Sequence, residues 1–328
     1  MKIAILGASG IGRSHARWFF GHGCEIVSIL GSSDESAAQT GSLLNADFGF
    51  AGFTYSNLTA LLHESRPDVV CVATPSTDHF VQALECLEAG AHVLCEKPLV
   101  YAPNRKPREN LDGAKELVRL ARKKKLVLAT QLQYGAATPI LTKLAGTTPS
   151  EVGDFAMELE TANPKAPRDP RELWMDLAPH PISVAQFLAG EGANLIEDSI
   201  RILHARDAQK TEVTARFQVL CPDGRLIMCR AILRALDAAT LNRPLSRRFS
   251  FNGRVVSYQG LQSSEGQFRA QYTAPDGYTN LHPDPVSYLI GDFLGAIRER
   301  AAPLTSGEFG MQNMNWLLKT AAKFEGEA

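Results

Sequence analysis

Gly7-Ala8-Ser9-Gly10-Ile11-Gly12 follows the apolar run Lys2 to Leu6 directly and opens a segment of helical periodicity from Ile11 to Phe20. A glycine turn between strand and helix lets backbone amides approach a pyrophosphate, and the helix N-terminus favours its negative charge. Ser9 stands where G-x-G-x-x-G has its middle glycine; Gly10 restores backbone freedom one place later, and a serine hydroxyl can itself face a phosphate. The same residues can also form a tight turn with no ligand. The flanking strand favours a dinucleotide site built from Gly7, Ser9, Gly10, Ile11 and Gly12.

From Lys2 to about Thr130, short apolar runs alternate with helical segments, as in parallel strands joined by crossover helices. Strands are expected at Lys2 to Leu6, Glu25 to Leu30, near Phe50, and at Asp68 to Ala73, His92 to Cys95 and Leu126 to Thr130. Helices are expected near Ile11 to Phe20, Leu58 to Ser65, Asp78 to Ala89 and Leu111 to Lys124, with Ser56 and Asp78 as caps. Val100 to Asn110 reads as an extended surface loop. Beyond a helix near Pro139 to Leu144 the texture changes to longer alternating stretches, Glu151 to Thr161, Thr211 to Leu220, Arg225 to Ala235 and Arg254 to Gln259. Pro222-Asp223-Gly224 and Asn252-Gly253 are hairpin signals. Two amphipathic segments, Pro285 to Arg300 and Ser306 to Phe324, close the chain, the second opened by Thr305 and Glu308 at capping-box spacing. The expected class is α/β: a doubly wound parallel Rossmann domain over 1–132, then an α+β domain over 133–328 with a large, mainly antiparallel open sheet. The final helices can return to cover either domain.

Length and composition agree. The 328 residues suit two domains, and 45% hydrophobic with 21% charged residues excludes a disordered chain. With 34 basic and 35 acidic side chains there is no field to hold a polyanion, so nucleic acid is not expected as a partner. The 6 cysteines lack CxxC pairs, which suggests free thiols in a reducing compartment and no metal site. No apolar run approaches 18 residues and none at the N-terminus suits a signal peptide, so a soluble cytoplasmic protein without a membrane partner is expected.

An NAD site usually carries an acid at the end of the second strand, whereas a 2'-phosphate needs that acid absent and donors present. Here the strand ends Leu30-Gly31-Ser32-Ser33, which favours NADP(H), with Ser32, Ser33 and Arg13 as phosphate contacts. Asp34 and Glu35 can cap a helix or serve as displaced ribose ligands. Two further strands end Ala73-Thr74-Pro75-Ser76 and Cys95-Glu96-Lys97-Pro98, at the carboxyl edge where open α/β sheets bind ligands. Pro98 fixes the backbone beside Lys97 and aims it. Glu96 can pair with a cation or contact a ribose, and His79 can line the cofactor or serve in packing. Farther on, Trp174-Met175-Asp176-Leu177-Ala178-Pro179-His180 sets a carboxylate and an imidazole four residues apart, on one face of a helix. With Lys97, that pair supplies what alcohol oxidation by hydride transfer requires: a tunable proton acceptor and a group to hold a hydroxyl.

GASGIGRSHA, ATPSTDHF, AGAHVLCEKPL and DLAPHPIS, in this order, resemble the Gfo/Idh/MocA oxidoreductases, and PLTSGE near Pro303 adds to the likeness. The resemblance implies a Rossmann domain followed by an open sheet, dimers or tetramers formed through that sheet, and NAD or NADP chemistry on secondary alcohols and ketones of sugars and cyclitols. It implies that Lys97 and His180 are the acid/base groups and that Asp176 binds substrate or positions the histidine. Gly7, Gly10 and Gly12 would hold the pyrophosphate; Thr74, Pro75, His79 and Glu96 would line the nicotinamide half. Lys97, Trp174, Asp176 and His180 would meet the substrate. Arg168 to Leu173 replace a glycine-rich stretch common in the family, Ala178 replaces a common glycine, Ser183 an acid, and Gln133-Tyr134 a basic site. The expected function is NAD(P)-dependent oxidoreduction of a small polyol or keto-sugar. The competing expectations are a nucleotide-binding regulator without turnover and a reductase of imine or enone substrates.

Overall fold

Ile3, Ala4, Ile5 and Leu6 are each 0% exposed, as are Val69, Val70 and Val72. Such continuous apolar runs, buried on both faces, are stable only in a parallel sheet covered by helices on each side. The computed structural model describes residues 1–163, 168–262 and 268–326. The chain falls into two units, one of Met1–Leu132 with Val286–Met314, the other of Gln133–Pro285 with Asn315 onward.

The first unit runs β1 (Lys2–Leu6), α1 (Ile11–Gly21), β2 (Glu25–Leu30), α2 (Asp34–Phe48), β3 (Phe53–Tyr55), α3 (Leu58–Ser65), β4 (Val69–Val72), α4 (His79–Glu88), β5 (His92–Cys95), α5 (Pro107–Lys124) and β6 (Leu128–Thr130). Its strands form a parallel sheet in the order β3-β2-β1-β4-β5-β6. The order reverses between β1 and β4, which opens the crevice where such sheets bind dinucleotides.

Four details differ from the sequence reading. Helix α2 is unforeseen because its sequence carries only a narrow buried set, Ala37, Thr40, Gly41 and Leu44. Its ends hold it: the Ser33 hydroxyl accepts the Ser36 N–H, and Gly49 terminates it at φ 77°. β3 lies at Phe53–Tyr55, beyond Phe50. Helix α3 is capped by Asn57, which accepts the Ala60 N–H, while Ser56 donates to Asp34. Val100 to Asn110 is only partly a loop, since α5 starts at Pro107 and the buried Asn110 side chain accepts the Ala102 N–H and donates to its carbonyl.

The second unit follows with α6 (Gln133–Ala136), α7 (Thr138–Leu144), β7 (Asp154–Asn163), α8 (Pro170–Leu177), α9 (Pro179–Ala189), β8 (Asn194–Arg206), β9 (Lys210–Leu220), β10 (Leu226–Asp237), β11 (Arg247–Phe251), β12 (Arg254–Gln262), β13 (Phe268–Thr273) and β14 (Thr279–Pro283). The sheet order is β14-β13-β12-β11-β7-β10-β9-β8, antiparallel except where β10 runs parallel to β7. Val213, Ala215, Phe217 and Val219 point into the core, while Glu212, Thr214, Arg216 and Gln218 alternate outward. The β11–β12 hairpin turns at Asn252 (φ 51°) and Gly253 (φ 81°), the two positive values a type I′ turn requires. The turn at Pro222 to Gly224 joins β9 to β10, with Gly224 at φ 84°.

α10 (Pro285–Glu299) and α11 (Gly307–Ala321) close the described chain, followed by a short 3-10 turn. The cap of α11 is Ser306, whose hydroxyl accepts the Phe309 N–H, rather than Thr305, whose own hydroxyl has no partner among the described residues. A Cβ on Gly310 would overlap the Thr130 hydroxyl at the end of β6. Gly310→Ala is therefore expected to cost about 1–3 kcal/mol in a urea melt. Thr130→Ala added to it should recover part of that loss, and simple additivity would show that the two residues do not compete for one space.

Candidate active site

At the glycine turn, Gly7 adopts φ 81°. A Cβ there would lie 2.7 Å from the Ala73 carbonyl oxygen, and one on Gly12 would overlap the carbonyl oxygen of Gly7. At Gly7 and Gly12 the turn is packed so closely that no side chain fits, which lets the backbone run bare at those two positions. Around Gly10, the N-cap of α1, there is open space; no side chain caps the helix and no acid sits in its first turn. Ser9 and Ile11 are exposed beside it. A diphosphate fits this cradle.

Behind the turn lies a residue that the sequence reading did not single out. His15, 0% exposed on α1, places Nε2 2.8 Å from Glu96 Oε1. Glu96 Oε2 accepts the backbone N–H of Lys97 at 3.1 Å. Burial alone would raise the Glu96 carboxyl; the His15 hydrogen bond and charge, the Lys97 charge and the Lys97 amide more than offset it and hold Glu96 below its usual range. The glycine-loop helix and the lysine are thus tied through one buried carboxylate. The signal for His15 was a polar residue on the buried stripe Gly12, His15, Ala16, Phe19, where only a partnered side chain is tolerated.

The remaining expected residues of this unit are spread along its carboxyl edge. Thr74 donates its hydroxyl to Gln82 at 2.6 Å, and the Pro75 carbonyl accepts the Asp78 N–H. His79, 1% exposed, sets Nδ1 2.8 Å from the Pro98 carbonyl oxygen and Nε2 2.9 Å from that of Thr74. Burial pushes His79 down against the two carbonyls and Glu96, so the neutral ring donates to one carbonyl at a time. Both nitrogens face backbone carbonyls, which makes His79 a brace between the loops after β4 and β5. The Lys97–Pro98 peptide is cis.

Arg13 departs from expectation. Its Nη2 lies 2.6 Å from Asp47, Arg17 joins the same carboxylate at 2.6 Å, and together they hold Asp47 down to about 2. The guanidinium is spent on α2 and not left for a phosphate. Ser33 accepts from the Ser36 amide as a cap, and Ser32 is exposed beside it. Gln131, just past β6, is 1% exposed, and neither of its amide atoms has a partner among the described residues. Its backbone N–H is held by the Cys95 carbonyl at 2.8 Å. Buried amides without partners cost about 1–3 kcal/mol each, so the edge of β5 and β6 has donor and acceptor capacity to offer a ligand.

In the second unit, Asp176 ends α8 and His180 opens α9, joined through Ala178 at φ −64°, ψ −25°. Prolines 179 and 181 supply no N–H, which separates the two helices while leaving the i, i+4 pair on one face. Asp176 Oδ2 accepts from Arg168 Nη1 at 2.7 Å, a partner the sequence reading counted only as a departure from the family. His180 is 6% exposed and meets Tyr134 edge-on at 5.0 Å and 74°. Its carbonyl accepts the Ser183 hydroxyl. Trp174 corrects the expectation of a substrate contact: it is 0% exposed and donates its indole N–H to Thr320 at 3.0 Å, so it anchors α8 in the core. Among the described residues no group of three or more metal-ligating side chains comes together, and no helix is long and apolar enough to cross a membrane.

Residues 1–132 match the family model described as an oxidoreductase family with an NAD-binding Rossmann fold. D-glucoside 3-dehydrogenase of Escherichia coli (strain K12) is 32% identical over 119 residues, 36% of this chain and 32% of that protein. D-xylose 1-dehydrogenase (NADP(+)) of Hypocrea jecorina is 36% identical over 104 residues, 32% of this chain and 24% of its own length. The chain thus spans less than a third of the length of these relatives. Among solved structures, UDP-N-acetylglucosamine 3-dehydrogenase from Acidithiobacillus ferrooxidans superposes with a TM-score of 0.70 at 21% identity, over 98% of this chain and 97% of that one. Levoglucosan dehydrogenase, in complex with NADH and levoglucosan, gives 0.68 at 15% identity, with the same coverage. These likenesses show that the fold extends over both units.

Because the folded Glu96 carboxyl lies below its usual value near 4.5, its contribution to stability is full above that value and fades as pH falls through the folded one. Glu96→Gln should therefore be less stable than wild type at pH 7, and the gap should close progressively below pH ~4.5 in denaturant melts. A gap independent of pH would show that the carboxylate charge carries none of the tie to His15.

Proposed function

We propose that this chain, a member of the Gfo/Idh/MocA oxidoreductase family, moves a hydride between a nicotinamide cofactor and a secondary alcohol or ketone of a small polyhydroxylated molecule. The observation that carries the reading is the buried Glu96, which joins the helix of the glycine cradle to the backbone of Lys97. A structural turn with no ligand has no need of that tie. The names of the relatives add a sugar or glycoside as the substrate class.

Gly7, Gly10, Gly12 and the amides of α1 hold the pyrophosphate, and Thr74, Pro75, Glu96 and Lys97 bound the nicotinamide half, with His79 bracing the loops. When bound, the cofactor supplies the hydride acceptor or donor. Lys97 Nζ or the His180 imidazole takes the hydroxyl proton as the carbonyl forms and returns it in the reverse direction. Asp176, oriented by Arg168, holds a substrate hydroxyl. We assign a preference for NADP(H): β2 ends without an acid at its tip, Ser32 and Ser33 stand at the N-terminus of α2, and the nearest carboxylate, Asp34, accepts a hydrogen bond from Ser56. The outward face of the large sheet carries exposed Leu203, Leu220, Leu226 and Met228, which supports self-association through that face.

Titration of the protein with NADH and NADPH in parallel is expected to show binding of both, tighter for NADPH. Lys97→Ala and His180→Ala should each lower kcat by 10²- to 10⁴-fold, on the order of a general acid or base, while NADPH binding persists in His180→Ala. Failure to bind either nucleotide would overturn the reading, and undiminished turnover in both variants would remove the proton-transfer roles. Sedimentation should give a dimer or larger, and Met228→Glu should shift it towards monomer; a wild-type monomer would leave the sheet face without that role.

A further inference from the structure

Strand β11 carries a cation on the wrong face for an ordinary sheet. Arg247, Phe249 and Phe251 alternate on one side, and Arg247 pairs in register with Leu159 while Phe249 pairs with Met157 and Phe251 with Phe155. Those partners are buried, so Arg247 points into the core side and is itself half-buried. Two nearby arginines are compensated: Arg234 of β10 meets Glu212 at 2.6 Å, and Arg243, in the loop before β11, meets Glu160 at 2.7 Å. Arg247 has no carboxylate at ion-pair distance among the described residues, and its buried Nε has no acceptor. Its guanidinium lies over the Tyr258 ring at 5.2 Å. The acid of the neighbourhood, Asp284, accepts the Tyr258 hydroxyl at 3.2 Å.

The ring beneath Arg247 belongs to a row that reaches His180. Tyr258 contacts Tyr134 at 6.0 Å between centroids, and Tyr134 contacts His180 at 5.0 Å. In the other direction Tyr258 contacts Tyr272, and Tyr272 contacts His282, whose buried Nε2 also lacks a partner among the described residues. A partly buried guanidinium without an anion is costly, and its planar donors suit a carboxylate or phosphate. We propose that Arg247 binds an oxyanion on the substrate, so that the substrate is an acidic polyol, a sugar acid or a sugar phosphate. Two aromatic rings separate this cation from His180, which places the anionic end of the molecule away from the reacting carbinol. The inference rests on the oxidoreductase reading for the role of His180. It adds the substrate class.

The test is calorimetric titration of the NADPH-loaded protein with D-glucuronate, D-glucose 6-phosphate and D-glucose. Wild type is expected to bind one of the acidic probes more tightly than glucose, and which one identifies the source of the oxyanion. Arg247→Gln should weaken that probe by about 10- to 100-fold, the range of a charge-assisted hydrogen bond, and leave glucose unchanged. Arg247→Lys should keep part of the preference, more for phosphate than for carboxylate. Arg247→Gln should melt no lower than wild type, because it removes an uncompensated charge. Absence of a preference for acidic probes, a preference that survives Arg247→Gln, or equal weakening of glucose together with a lower melting temperature overturns the inference and leaves the oxidoreductase reading standing. Failure of the protein to bind NADPH or NADH removes that reading, and the inference with it.

Discussion

The hydrogen bond between His15 and Glu96 is the contact that ties the glycine turn of the first unit to the loop of Lys97. A carboxylate at 9% exposure is tolerated only if donors replace water, and here a ring nitrogen of α1 and the amide of Lys97 do so. The same requirement fixes geometry. Neither the helix that opens at the glycine turn nor the loop that carries the lysine can shift without leaving a buried charge short of a donor. His79 adds a second brace, between the carbonyls of Thr74 and Pro98. The lysine is thus set by packing and by polar satisfaction behind it, before any ligand arrives.

The sequence reveals most where burial is two-sided. β1, β4 and β5 are almost wholly apolar and short, and they lie where the apolar runs predict. The glycine turn is equally legible, because a side chain on Gly7 or Gly12 would collide with backbone, and such positions admit little else. Helix α2 was not legible, since its stability comes from a cap and a left-handed terminator around a weakly patterned interior. In the second unit β9 and β10 alternate clearly, whereas β14, the edge strand, carries little apolar pattern to announce it.

The candidate site residues divide in the same way. Lys97, Asp176 and His180 stand in short stretches whose order along the chain is distinctive, so sequence suffices to nominate them. His15, Arg168, Tyr134 and Arg247 acquire their roles from partners that the chain brings together over long separations: Glu96 for His15, Asp176 for Arg168, His180 for Tyr134 and Tyr258 for Arg247. Nothing in local spacing distinguishes Arg247 from Arg248. Only the register of β11 against β7 does so, since Arg248 pairs with Glu158 on the outward side and Arg247 faces the core.

That register also bears on where hydrogen-bonding capacity is left in the two units. In the first unit several polar groups behind the carboxyl edge are engaged with one another or with backbone, His15 with Glu96, Thr74 with Gln82 and His79 with backbone carbonyls, while the Gln131 amide has no partner among the described residues. Altering any of them disturbs the cradle itself. In the second unit Arg247 rests on Tyr258 and His282 on Tyr272, contacts that hold orientation while Arg247 Nε and His282 Nε2 have no hydrogen-bond partner among the described residues. An aromatic contact fixes the direction of a polar side chain without consuming its donors, whereas the carboxylate and carbonyl contacts of the first unit consume them.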